Sequence, residues 1–364
     1  MKITRWSLHF YSLPYEREIV WVNSVEHAGV FALLLLEADN GARGIAEGTI
    51  KATWSGVSPR SLSAVLEDFI MPRLLAVDVG DADAVRRALA GIPENRLAKG
   101  MADTACWSLR AMAAEMPLWK QLGGSAEVDL SWALTRQSPQ AMATEAAEMC
   151  EKYGFRTVKV RGGQGAEVDI AALREVRAAV GPDVALYVDA NSAYPSTEAL
   201  SYVRAVGRAG AVAAEDPCPL QPDQGFEALQ SECGLPVLID RTCASVDDAR
   251  RFLERGAAAF AIKPGRIGIS EARQIAQLGA RRGAKVAVGL YGESELGTLL
   301  SLQLAAALPV QQRLLPAELG FYLCMTRQVI NQPLRLHGGR ITLPESADLA
   351  ALVDWDQVQR LKLA

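Results

Sequence analysis

Thr157-Val-Lys-Val-Arg161, Ala185-Leu-Tyr-Val-Asp189, Ala211-Val-Ala-Ala-Glu215, Pro236-Val-Leu-Ile-Asp240 and Ala259-Phe-Ala-Ile-Lys263 are five successive runs built to one plan. Each is short, mostly apolar and closed by an ionisable side chain, as expected of a buried parallel strand whose last residue reaches the sheet end. Lys159, Asp189, Glu215, Asp240 and Lys263 follow one another at intervals of 30, 26, 25 and 23 residues, and Glu293 lies 30 further on. Those are the lengths of single strand–helix units. Helical stretches at Ile170–Val180, Thr197–Ala209, Val246–Arg255 and Ser270–Arg282 fill the gaps. The alternation predicts parallel strands with crossover helices.

Outward from this centre, Asp129–Thr135 and Lys285–Gly289 read as flanking strands, Ser138–Tyr153 as a helix, and Arg313–Ala317 as a weaker eighth strand. Eight units predict a TIM-type barrel rather than an open sheet, with the ionisable ends gathered at its C-terminal mouth. The N-terminal part has a different pattern. Lys2–Leu13 and Val30–Ala38 read as strands, Asp39-Asn40-Gly41 as a hairpin turn and Arg43–Thr49 as the return strand. Helices are expected at Ser61–Leu75, Asp81–Ala90 and Lys99–Leu122, the last closed by Gly123-Gly124. The predicted fold is α/β: a modified TIM (β/α) barrel with an N-terminal α+β capping domain. Residues 1–124 form the cap with its specificity loops, 125–332 the barrel with metal and catalytic residues, and 333–364 a segment returning to the cap.

Composition narrows the function. Of 364 residues, 50% are apolar and 22% charged, enough for a large core. A net charge of −4 gives no basic field for nucleic acid. The longest early apolar run, Val30–Leu36, is too short to span a bilayer, which takes roughly 20 residues. Lys2, Arg5, His9 and Glu16 interrupt any secretory leader, so a cytoplasmic protein is expected. Six cysteines without a C-x-x-C pair predict buried, reduced thiols. Only His9, His27 and His337 are present, with no zinc spacing and no G-x-S-x-G elbow. Acid–base work therefore falls to Lys, Asp and Glu.

Asp189, Glu215 and Asp240 would make a hard, oxygen-only site suited to Mg²⁺, with Mn²⁺ as a substitute. Lysines flank the trio, and a lysine near a divalent cation and an arginine is expected to have a lowered pKa and to act as a base near neutral pH. The matching chemistry is abstraction of a proton next to a carboxylate, through an enolate-like intermediate.

Several motifs, in order along the chain, resemble the enolase superfamily. Thr157-Val-Lys159-Val-Arg161-Gly-Gly resembles its K-x-K strand. Tyr187-Val-Asp189-Ala-Asn191, Ala214-Glu215-Asp-Pro, Leu238-Ile-Asp240-Arg241 and Ala261-Ile-Lys263-Pro-Gly-Arg-Ile-Gly resemble the strands that follow, and Gly292-Glu293-Ser-Glu-Leu-Gly-Thr a late-strand segment. Gly44-Ile-Ala-Glu47-Gly and Leu118-Trp-Lys-Gln-Leu-Gly-Gly124 fit the family's cap and domain junction. The resemblance implies a Mg²⁺ site of Asp189, Glu215 and Asp240, with Asn191 beside the substrate carboxylate and Lys263 as acid/base. The mandelate-racemase-like branch uses a late His-Asp pair, and no histidine lies between His27 and His337. The chain therefore matches the muconate-cycloisomerase-like branch.

Two positions depart from that pattern. Arg161 stands where the family has a second lysine; a guanidinium is a poor base but fixes a carboxylate well. Arg241 stands where glutamate is common, and adds positive charge beside Asp240. One-base chemistry at Lys263 follows, as an isomerase (cycloisomerase-like) or lyase. An acid-sugar or hydroxy-acid dehydratase, an epimerase, a degenerate carboxylate-binding barrel without turnover and a Schiff-base barrel are the alternatives. Lys159 would tune Arg161 or a metal ligand, and Glu293 would hydrogen-bond Lys263 or the substrate. Loops around Trp21-Val-Asn23 and Thr49–Gly56, carrying Asn23, Lys51 and Trp54, would select the substrate, and Thr135 and Arg136 would lie near it. The expected partner is a small carboxylate, with no nucleic acid and no membrane. The resemblance also implies a homo-oligomer.

Overall fold

The computed structural model describes residues 1–363. Strands β1 (Ile3–Val20), β2 (Val25–Ala38) and β3 (Arg43–Thr49) form an antiparallel sheet in the order β1-β2-β3. The hairpin turns at Gly41, whose φ of +82° suits glycine. Helix Arg96–Ala113 lies so close on β3 that a Cβ at Gly44 or Gly48 would run into it, against Ala105 and Met101. Two expected helices are interrupted. Ser61–Leu75 becomes Pro59–Val65, a π turn at Leu66–Ile70 and Met71–Ala76, because Pro72 lacks an N–H and widens the turn. Lys99–Leu122 stops at Ala113 and resumes at Leu118–Gln121, broken by Glu115 at φ +50° and by Pro117.

The barrel strands are β5 (Trp132–Ala133), β6 (Thr157–Arg161), β7 (Ala185–Asp189), β8 (Ala211–Glu215), β9 (Val237–Ile239), β10 (Ala259–Ile262) and β11 (Lys285–Val288). All pair in parallel, each with its sequence neighbour. The expected strand Asp129–Thr135 is split. Its first part, β4 (Glu127–Asp129), pairs with the C-terminal hairpin β12 (Leu336–His337) and β13 (Arg340–Thr342), and only Trp132–Ala133 joins the barrel. The eighth position is no regular strand, since Pro316 donates nothing to a ladder. It still closes the ring: Leu314 and Glu318 N–H donate to Val286 and Val288, and Ala317 exchanges bonds with Asp129 and Ser131. The chain end returns to the cap, where Lys362 bridges Tyr11.

Strand alternation decides what the barrel holds. Val158, Val160, Leu186 and Val188 face the helices, whereas Tyr187, Ala213, Leu238, Ala259, Ala261, Ala287 and Leu315 form a separate inner cluster. The four alanines of that cluster leave room for Lys159, one of the largest fully buried side chains. All six cysteines are free, and Cys106, Cys218, Cys233 and Cys243 are buried.

Candidate active site

The strand-end residues converge at the mouth and are buried there: Lys159, Arg161, Asp189, Asn191, Glu215, Asp240, Lys263 and Glu293. Their order around the ring sets the geometry. β6 and β10 lie four places apart in a ring of eight, so Arg161 and Lys263 face each other across it. Together with Lys159, Asn191 and Glu318 from the barrel, and Trp21, Lys51 and Trp54 from the cap, they line a pocket of about 40 Å³. A groove of about 1230 Å³ lined by Pro333, His337 and Arg340 contains none of them.

Lys159 is the hub. Its Nζ lies 3.0 Å from Asp189, 2.9 Å from Glu215 and 2.8 Å from Glu318. Burial works against its charge, but Asp189, Glu215 and Glu318 together hold its pKa well above the usual lysine range. Arg161 pairs with Asp189 and lies 3.7 Å from Glu318; burial opposes its charge too, and Asp189, Glu318 and Glu215 together outweigh burial. Asp189 answers in the other direction. Burial would raise its pKa, but Lys159 and Arg161 pull it down to about 2. Asn191, at φ +50°, folds back so that its N–H donates to Asp189 Oδ1 at 2.8 Å and its amide to Oδ2 at 3.0 Å.

On the opposite side Lys263 Nζ is 2.5 Å from Asp240 Oδ2. The sequence reading expected a lowered pKa there. Burial does push it down, but Asp240 and Glu215 overcome burial and raise it. Arg241 also departs from expectation. Its guanidinium projects outward over the Trp54 ring at 5.2 Å, and the second cation near Asp240 is Arg266, at 3.7 Å. Glu293 accepts from Tyr291 N–H at 2.6 Å and has no ion pair with Lys263; burial pushes its pKa up to about 7. Lys51 pairs with Glu26 and sits over the Trp21 ring at 4.5 Å, and Lys263 lies 6.0 Å from the Trp54 ring. Asn23 is exposed and donates to Thr53 O at 2.7 Å; it joins two loops and does not line the pocket. Thr135 accepts from Arg17, and Arg136 donates to Gly162 O, both outside the pocket lining.

The sequence reading missed Glu318, which ends the irregular eighth segment one residue beyond the expected strand. A glutamate at that position was the available signal. It also missed Asp216, which accepts N–H bonds from Asp240 (3.1 Å) and Arg241 (2.9 Å) and so fixes the end of β9. Burial and the charge of Asp240 raise the Asp216 pKa to about 7.

Among the described residues no three His, Cys, Asp or Glu side chains converge on one point as they stand. Lys159 and Lys263 occupy the oxygens instead. The donor set nevertheless fits a hard cation. Both Glu215 oxygens and Asp240 Oδ1 are buried without a hydrogen-bond donor, although Lys159 lies near Glu215 Oε2. Burial and the neighbouring Asp189 charge raise the Glu215 pKa well above the usual range, which marks an excess of negative charge at this point.

A parallel barrel whose mouth gathers carboxylates and lysines under an α+β cap is the architecture of an enolase-superfamily enzyme. Residues 141–356 match the enolase C-terminal domain-like model, and residues 18–123 match the mandelate racemase / muconate lactonizing enzyme N-terminal domain. The chain belongs to the mandelate racemase / muconate lactonizing enzyme family, in its muconate-cycloisomerase-like branch. It is 30% identical to the o-succinylbenzoate synthase of Geobacillus stearothermophilus, over 86% of this chain and 80% of that one. It is 25% identical to muconate cycloisomerase 1 of Rhodococcus opacus, over 90% of this chain and 89% of that one. A solved muconate lactonizing enzyme from Mycobacterium smegmatis, complexed with muconolactone, superposes with a TM-score of 0.94 at 24% identity, covering 100% of both chains. A dipeptide epimerase from Enterococcus faecalis V583, complexed with Mg and the dipeptide L-Leu-L-Tyr, gives 0.87 at 24%, covering 96% of this chain and 99% of that one. These two likenesses speak to the fold. No helix among the described residues is long and apolar enough to cross a membrane.

Proposed function

We propose that the enzyme removes a proton α to the carboxylate of a small carboxylic acid by one-base chemistry, as an isomerase of the cycloisomerase type or as a lyase. The observation that carries this reading is the pairing across the pocket of one amine, Lys263, with one guanidinium, Arg161. Lys263 is the base. It enters from the β10 side, 6.0 Å from the cap's Trp54 ring, and accepts the proton in its neutral form, which requires that Asp240 be drawn out of the ion pair that now holds the amine charged. Arg161 stays charged and faces the other side of the substrate, where it stabilises the negative charge that develops as the proton leaves. Lys159 holds Asp189, Glu215 and Glu318 at fixed positions, and Asn191 presents its amide at the carboxylate end of the substrate. Trp21, Lys51 and Trp54 close the cap side and exclude water.

Asp189, Glu215 and Asp240 are the residues that would hold Mg²⁺, or Mn²⁺. When bound, the cation supplies Lewis-acid stabilisation of a carboxylate that is gaining charge. The dipeptide epimerase of like fold is complexed with Mg, which supports the choice of cation. An arginine in place of a second amine disfavours a two-base racemase, since a guanidinium gives up its proton too reluctantly to serve on the second face.

The test is a library of small carboxylic acids incubated with the enzyme and Mg²⁺ in deuterium oxide, read by NMR. The reading expects α-deuterium incorporation in at least one acid, abolished in Lys263→Ala while calorimetric Mg²⁺ binding persists. Exchange that survives in Lys263→Ala removes Lys263 as the base.

A further inference from the structure

Glu47 is a buried carboxylate of the cap with no part in the chemistry above. It lies on β3, and the residues just after it form the cap wall of the pocket, with Lys51 and Trp54. Two of its three bonds leave that sheet, and the third ties it to β1 within it. The Ser294 N–H donates to Oε1 at 3.1 Å, and the hydroxyls of Ser294 and of Tyr11 on β1 donate to Oε2. Ser294 is the N-cap of helix Glu295–Ala307 and accepts from Leu296 N–H at 3.1 Å. Immediately before it, Leu290, Tyr291 and Gly292 line the barrel side of the same pocket. The two walls meet at Gly292, where a Cβ would lie 3.0 Å from Lys51 Cε. One carboxylate thus joins the root of one wall to the root of the other.

We propose that Glu47 is a positioning residue that sets the spacing between the cap and barrel walls of the pocket, and so which carboxylates fit between them. Bonds to an ionised acceptor are stronger than neutral ones, and a buried donor left without a partner is costly. Glu47 gathers three donors from two elements; a glutamine keeps one oxygen for the Ser294 N–H but sets an amide donor where Oε2 accepts from two hydroxyls, so those hydroxyls must turn round and the charge-assisted bonds are lost.

The fold supplies its own comparison. Asp103 is also buried and also crosses from cap to barrel, accepting the Ser270 N–H (2.7 Å) and hydroxyl (2.6 Å) at the start of helix Ile269–Arg281. Neither Asp103 nor Ser270 lines the pocket. Removing Asp103 loosens cap docking alone, whereas removing Glu47 also releases the pocket walls.

Hydrogen-exchange mass spectrometry of the whole protein separates the two. Glu47→Gln is expected to speed amide exchange across 48–56 and 289–296 by about tenfold or more, as follows when a charge-assisted bond is lost from a local opening unit. Asp103→Asn is expected to leave those segments unchanged and to speed exchange around 268–272. Unchanged exchange in 48–56 and 289–296 in Glu47→Gln, or the same acceleration there in both variants, overturns the proposal. Should Glu47→Gln fail to fold, Ser294→Ala removes the hydroxyl bond that crosses from the barrel to Glu47 and must speed exchange in 48–56, on the cap side and away from the helix that Ser294 caps; no change there overturns the proposal equally. This readout needs no substrate, so its failure is distinct from failure of the reaction proposed above. Where a substrate is in hand, Glu47→Gln should raise KM about tenfold with kcat much less affected.

Discussion

Glu293→Gln is expected to make the protein more stable at pH 8 and to change little at pH 5. Glu293 is 3% exposed; one carboxylate oxygen accepts the Tyr291 N–H at 2.6 Å and the other has no donor. Burial raises its pKa to about 7 from an ordinary 4.5, with the Tyr291 bond and the Lys263 charge only partly opposing it. The native state therefore holds a proton that the unfolded chain has already lost between about pH 4.5 and 7. Stability associated with this group is complete below pH 4.5 and is lost as pH rises through 7. At about 1.4 kcal/mol per pKa unit the loss reaches roughly 3 kcal/mol by pH 8. A glutamine keeps an acceptor for Tyr291 and does not ionise, so it escapes that loss. The assay is urea unfolding of both proteins at pH 5, 6, 7 and 8 in metal-free buffer, plotted as the difference in unfolding free energy. Asp216 also titrates near 7, but it is common to both proteins and cancels unless it couples to Glu293. A difference that stays flat from pH 5 to 8, or one that favours the wild type as pH rises, refutes the reasoning.

Lys159→Met should cost about 3–5 kcal/mol in urea unfolding, because it leaves Asp189, Glu215 and Glu318 buried without their shared counter-charge. Saturating Mg²⁺ should recover part of that loss, and a change below about 1 kcal/mol would argue against a hub. Arg161→Lys should introduce proton exchange on the second face, read as racemisation of a chiral substrate that the wild type leaves untouched. Exchange confined to the original face would show that more than the missing amine blocks two-base chemistry. Asp189→Asn should weaken calorimetric Mg²⁺ binding by at least tenfold, since a carboxylate that Lys159 and Arg161 hold ionised is lost from the proposed metal site. Equal affinity would move the metal away from Asp189.

The strand–helix alternation, the convergence of the strand ends and the lysine–arginine opposition follow from residue order alone. A parallel strand must be apolar, its inward and outward residues alternate, and its final residue must face the mouth, so position in the run determines position in space. The cap loops were legible only as loops. Nothing local to Asn23 distinguishes a pocket residue from one that ties two loops together, and the structure uses it for the latter.

Charge states and partner choice were decided by tertiary structure. Lys263 reads as an amine awaiting a lowered pKa, yet Asp240, 23 residues earlier, lies 2.5 Å away and raises it. Arg241 adjoins Asp240 in sequence but turns outward to Trp54, while Arg266 approaches from another unit. Glu318 comes from a segment that Pro316 keeps from being a regular strand, and so periodicity does not reveal it. Hydrophobic pattern is a short-range property carried by consecutive residues. Electrostatics depends on distances between residues far apart in sequence, and those exist only after the barrel has closed.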